Sequence, residues 1–220
     1  MRADARRNHA RLLEAARDVF VEQGPGASLE EIARRAEVGI ATLYRRFTDR
    51  RMLMHAVVLH ALTGTIEAAQ RARQDHPDPF DALAAYVHAV LDLRTSAVIP
   101  TLLVALDLDE PQLKAARTTS AQLVEELLEE ARKTGRLRTD VAFGDIGLLL
   151  TRLSRPLPGP IPGATQSALA HRHADIILAG LRADPTAAPL AGPALKLADL
   201  QQLRQTPDDV ATGTPATTGP

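Results

Sequence analysis

Residues 28–47 read SLEEIARRAEVGIATLYRRF, and no other stretch narrows the folds open to this chain so far. Ser28 is followed three residues later by Glu31, the spacing of a capping box in which each residue satisfies an orphan amide of the helix start. Ile32, Ala33 and Ala36 continue that helix on one apolar face. Glu37-Val38-Gly39 breaks it, and a second short helix is expected from about Ile40 to Arg46, with Leu43 and Phe47 as its apolar positions. An earlier helix precedes the pair. Leu12, Leu13, Ala16, Val19 and Phe20 recur at the helical period, and Gly24-Pro25-Gly26 stops it. Thr48-Asp49 caps a further, long helix from about Arg50 to Arg73.

The rest of the chain repeats the helical pattern. Apolar periodicity predicts helices over Phe80–Leu93, Pro100–Leu106, Gln112–Lys133, Phe143–Leu153 and Gln166–Leu181. No long alternating Val/Ile/Thr run with hairpin turns is present, so the expected fold class is all-α. Loops are expected at Gly135–Asp140 and at Pro156–Gly163, the latter with four prolines. From Asp184 the composition turns to Pro, Thr and Ala, which predicts a largely flexible tail over 184–220. Leu197, Leu200 and Leu203 are helically spaced within Ala194–Arg204, as in a short docked helix or a transient one. No apolar run resembles a bilayer span of ~20 residues, and the basic start from Met1 to Arg11 lacks a signal core behind it. The expected location is the cytoplasm, with no membrane partner.

Two short helices joined by three or four residues form a helix-turn-helix, whose second helix enters the DNA major groove N-terminal end first. Gly39, Ile40 and Ala41 keep that end slim, and Ile40 and Ala41 suit thymine methyls. Thr42 and Tyr44 carry hydroxyls suited to phosphate oxygens. Arg45 and Arg46 are able to bond either guanine or phosphate. Leu43 and Phe47 are expected to point inward onto Ile32, Ala33, Val19 and Phe20. The bland alternative is a helical hairpin whose arginines, with Arg50 and Arg51, form a solvated face.

The run Leu12-Leu13-x-Ala15-Ala16-x-x-x-Phe20, Ser28-Leu29-x-x-Ile32-Ala33 and Val38-x-x-x-Thr42-Leu43-Tyr44-x-x-Phe47 resembles the TetR family of transcriptional regulators. The resemblance covers roughly residues 6 to 62, extends through Arg50 and Leu53, and is matched beyond only in outline. It implies a DNA-binding domain over 5–64 with its helix-turn-helix at 28–47, and a helical effector-binding and dimerisation domain over 65–183. The positions matching Ile40, Ala41, Tyr44 and Arg46 then approach bases. Those matching Thr42, Tyr44, Arg45 and Arg50 contact the backbone, Arg50 standing where the family usually has a phosphate-binding lysine. Ser28 completes the set expected at DNA. Glu37 departs from the family's usual glycine, at a cost of ~1 kcal/mol if the turn needs positive φ. It also brings a negative charge toward DNA, which predicts weaker or more selective binding.

The implied partners are a double-stranded DNA operator, a second copy of the chain and an unknown small-molecule effector. Polar or aromatic residues on apolar faces are the effector-contact candidates: His60, Tyr86, His88, Arg94, Thr101 and Thr151. With 3% aromatics, an aliphatic or mixed-polarity effector is expected over a flat polycyclic one. The apolar stripes Gly144, Ile146, Leu149, Leu150, Leu153 and Leu169, Ile176, Ile177, Gly180, Leu181 predict a homodimer through helices near 143–154 and 166–182. No cofactor and no metal site are expected. The chain has no Cys, and His55/His60 and His171/His173 lack i, i+4 spacing. Neither a Gly-x-Ser-x-Gly elbow nor a phosphate loop is present, so no catalytic residues and no enzyme activity are expected. The competing reading is a small-molecule-binding protein or enzyme with a hairpin that touches no DNA.

The net charge of −1 is an average over unlike regions. Residues 1–55 carry 11 basic and 8 acidic side chains, whereas the other 165 carry 15 and 19. The basic excess therefore lies at the end that carries the helix-turn-helix.

Overall fold

In the computed structural model, which describes residues 2–196 and residue 199, nine helices are present among the described residues. The first four are α1 (Arg2–Gln23), α2 (Leu29–Arg35), α3 (Ile40–Arg46) and α4 (Arg50–Asp75). They are followed by α5 (Pro79–Leu93), α6 (Thr95–Leu103), α7 (Pro111–Lys133), α8 (Phe143–Leu153) and α9 (Gly163–Leu181). The one strand-like feature described is an isolated antiparallel bridge between Leu137 and Arg182.

Local chemistry sets most boundaries. Gly24, at φ 79°, ends α1 and donates its amide to Phe20 O at 2.9 Å. Ser28 Oγ accepts the Glu31 amide at 3.3 Å. The return half of the expected box is not made, because Glu31 instead grips Arg34 and Arg35. Asp49 accepts the Met52 amide at 2.8 Å, and Asp78 accepts those of Phe80 and Asp81 before the proline that opens α5.

The expected helix Pro100–Leu106 is displaced. α6 runs from Thr95 to Leu103, with Pro100 inside it rather than opening it. The cause is Arg94, which adopts a left-handed conformation (φ 52°) between α5 and α6 and bends the pair by 68°. Nothing in the sequence marks that turn, since glycine or asparagine is its usual occupant. Proline in the helix removes one hydrogen bond, and α6 ends three residues later.

Two apolar cores result. The first joins α1, α2, α3 and the front of α4 through Leu12, Val19, Phe20, Ile32, Leu43, Leu53 and Val58. Val98, Leu102 and Leu103 of α6 and Leu113 of α7 also belong to it. The second gathers the rear of α4 with α5, α7, α8 and α9 around Phe80, Leu83, Leu127, Leu128 and Ile146. α4 thus runs through both. An 18-residue window of α4 is apolar enough to cross a bilayer by composition, against the expectation that no segment approaches a span. Half of that window is buried inside the bundle, where an all-round apolar helix belongs.

Residues 184–196, expected in a loose tail, lie mostly exposed along the Arg138–Gly144 segment. The Leu190 amide donates to Asp140 at 2.8 Å, Arg138 donates to Ala188 O, and the Gly144 amide donates to Leu195 O at 2.7 Å. A Cβ on Gly144 would meet Leu195 O at 2.6 Å, so this contact requires glycine. Most of the helix expected over Ala194–Arg204 lies outside the described residues.

Candidate nucleic-acid interface

α3 buries one side chain and exposes the rest. Leu43 is fully buried, and Phe47 closes the helix from below. Ala41, Thr42, Arg45 and Arg46 are exposed, as are Ile40 at 36% and Tyr44 at 47% of their free areas. Leaving an isoleucine and a tyrosine in water is unfavourable by itself, so the exposed face reads as one kept for a partner.

Gly39 caps this helix at φ −67°, a conformation open to any residue. A Cβ there would meet only Thr42 Oγ1, at 4.0 Å. The fold therefore does not require glycine at 39, and the small residue leaves room for something outside the chain.

Electrostatics separate the arginines into two groups. Arg34 and Arg35 are tied to Glu31, and Arg35 also to Glu22. These contacts hold the Glu31 carboxyl down at about 2. Arg45, Arg46, Arg50 and Arg51 have no carboxylate within 4.0 Å among the described residues. Arg45 Nη2 donates to Thr42 Oγ1 at 2.9 Å, which sets two of the expected DNA contacts side by side. Arg50 is partly committed, because its Nη1 donates to Pro25 O (3.3 Å) and to Ala27 O. Ser28 is exposed, and its hydroxyl both caps α2 and donates to Glu30.

The turn between α2 and α3 holds Glu37 at φ 55°. The Glu37 carboxylate forms an ion pair with Arg11 of α1, which draws its charge toward the protein. Sequence reasoning missed His9. Its ring stacks on Phe47 with centroids 6.1 Å apart, beneath α3. Burial, then the charges of Arg46 and His60, push its imidazole below the usual 6.5. No local pattern couples residues 9 and 47, so only a three-dimensional arrangement reveals the pair.

The six candidates for effector contact do not converge. His60 is exposed on α4, while Tyr86 lies in the second core, where burial pushes its phenol pKa up. His88 stacks on His171 of α9, with their Nδ1 atoms 2.8 Å apart and Asp175 and Asp92 at the outer nitrogens. Thr101 and Thr151 donate to carbonyls of their own helices. Arg94 lines a cleft of about 430 Å³ between α1, the end of α8 and α9.

Comparisons with known proteins place this geometry among relatives. Residues 12–57 match the family model for bacterial regulatory proteins of the tetR family, and residues 78–183 match one described as transcriptional regulator SbtR-like, C-terminal domain. A TetR transcription regulatory protein of Mycobacterium vanbaalenii is 32% identical over 82% of this chain and 98% of its own, with a TM-score of 0.55. A TetR transcriptional regulator of Streptomyces coelicolor is 29% identical over 81% and 99%, with a TM-score of 0.56. An HTH-type transcriptional regulator of Staphylococcus aureus (strain USA300) is 28% identical over 43% of this chain and 51% of its own length. The chain thus spans about half the length of the curated relatives it matches.

Proposed function

Because the chain belongs to the TetR family of transcriptional regulators, we propose that it is a homodimeric, effector-responsive repressor that reads a palindromic operator with α3. The exposed face of α3 carries the reading, with Ile40, Ala41, Tyr44 and Arg46 approaching bases, and Thr42, Tyr44 and Arg45 contacting the DNA backbone together with Arg50 at the start of α4. Ser28 sits beside them at the start of α2. We assign residues 5–64 to DNA binding, 65–183 to effector binding and dimerisation, and 184–220 to an appended tail. No catalytic role is assigned, and the cytoplasm is the working location.

The proposed switch is a population shift. The spacing of the two α3 helices in a dimer depends on the tilt of α4, which starts at Arg50 close after α3 and runs into the second core. An effector that prefers the wide-spaced dimer draws protein off DNA. Selection from a random DNA pool with purified full-length protein tests the reading. One enriched palindrome is expected, bound more weakly as salt rises. Tyr44→Ala and Arg46→Ala should each weaken it by ~1–3 kcal/mol. A pool with no enriched sequence, with or without added lysate metabolites, would overturn it.

A further inference from the structure

A cleft lies at a junction of both cores, not inside either. It encloses about 430 Å³ between α1, the Arg94 turn, the end of α8, the loop after it and α9. That size suits a small organic ligand. Arg94, Arg152 and Arg155 line it, the first from the α5–α6 turn and the other two from the end of α8 and just beyond it. None of the three has a carboxylate within 4.0 Å among the described residues. Two acids also reach this cleft, but both are already committed: Asp18 accepts from Arg17 at 3.0 Å, and Glu22 accepts from Arg35 at 2.7 Å. Three arginines therefore line a cleft whose two acids are already paired with other arginines. Leu91, Leu153 and Leu169 add apolar lining to the same cleft.

We propose that this cleft binds a small amphipathic organic anion, with its carboxylate or phosphate on Arg94, Arg152 and Arg155 and its apolar part on the leucines. The planar fork of arginine matches both acid groups. Arg94 adds a second, independent observation. Its Nη2 lies 4.0 Å from where a Cβ on Gly163 would stand, so its guanidinium reaches the start of α9 across the cleft. The position also couples the cleft to the DNA end. Arg17 of α1 donates to Leu93 O at 2.7 Å, directly before Arg94. An anion that pulls the Arg94 turn toward α8 and α9 thereby loads α1, which packs under α2 and α3.

The role as an effector site rests on the regulator reading; the binding chemistry does not. Calorimetry on the full chain should compare octanoate, monooctyl phosphate, inorganic phosphate and 1-octanol. One of the two amphipathic anions is expected to bind at least about tenfold tighter than octanol and than inorganic phosphate, and which one does so identifies the acid group. The triple variant R94Q/R152Q/R155Q should lose at least about tenfold of that affinity with its circular dichroism melt unchanged. Should it fail to fold, R155Q alone, in the exposed loop, should still lose severalfold. Anions that bind no tighter than octanol, or equally well to the variants, overturn the proposal. The tighter anion should also lower operator affinity in the wild type and not in the variant, and an unchanged operator affinity overturns the coupling. If the DNA pool yields no operator, the regulator reading fails while calorimetry still decides the cleft.

Discussion

At the scale of single residues, two side chains near α3 carry opposing costs. Glu37 holds a left-handed turn that favours glycine by ~1 kcal/mol. Its exposed ion pair with Arg11 returns about 0–1 kcal/mol. Glu37→Gly should therefore leave stability within about 1 kcal/mol in urea denaturation while removing a negative charge from the DNA side. Operator affinity measured by fluorescence anisotropy should rise severalfold, and a fall would show that Glu37 makes a favourable contact. His9 predicts a pH dependence. Its folded pKa lies below 6.5 because burial disfavours the imidazolium, so the unfolded chain binds the proton more readily. Its contribution to stability is complete above pH 6.5 and is lost as pH falls below that value. His9→Phe should flatten the decline in unfolding midpoint between pH 7.5 and 5.5, and an unchanged slope would assign the decline to other groups.

At the scale of elements, α6 is the segment whose role periodicity misplaced. Its Val98, Leu102 and Leu103 lie in the same core as α1 and α3, although they follow the rear half of α4 in sequence. The DNA-binding end is thus not closed by its own first four helices. Leu102 is fully buried, and Leu102→Ala should cost about 2–5 kcal/mol. The loss should appear as faster hydrogen exchange in α1 amides as well as in α6. Protection that falls only in α6 and its successors would show that the first four helices stand alone. The displaced boundary has a physical cause: Pro100 resembles a helix opener in sequence, but the left-handed Arg94 starts the helix five residues earlier.

At the scale of the whole molecule, the broad stripes of α8 and α9 divide between inside and outside. Ala174, Leu178 and Leu181 of α9 are buried in the second core, whereas Ile176 is 61% exposed. The proposed dimer uses that outward face. Ile176→Glu should leave the protomer folded, because the side chain already meets water. It should also shift sedimentation from dimer toward monomer and cost operator affinity, since two half-sites are then read separately. A variant that stays dimeric at micromolar concentration would move the interface elsewhere.

The fold class and the α3 face were legible in the sequence because they rest on local rules. Caps at Ser28 and Asp49, the glycine stop at Gly24 and apolar spacing of three and four residues act within one or two turns. They placed Leu43 and Phe47 inside and left Tyr44, Arg45 and Arg46 outside, as the structure has them. The tertiary structure alone decided what depends on distant segments meeting. His9 under Phe47, Arg17 on Leu93 O, Leu195 against Gly144, and Arg94 with Arg152 and Arg155 around one cleft are all such meetings. Periodicity says which face of a helix is apolar, but not which helix will cover it. That choice is made by the packing of all nine described helices at once.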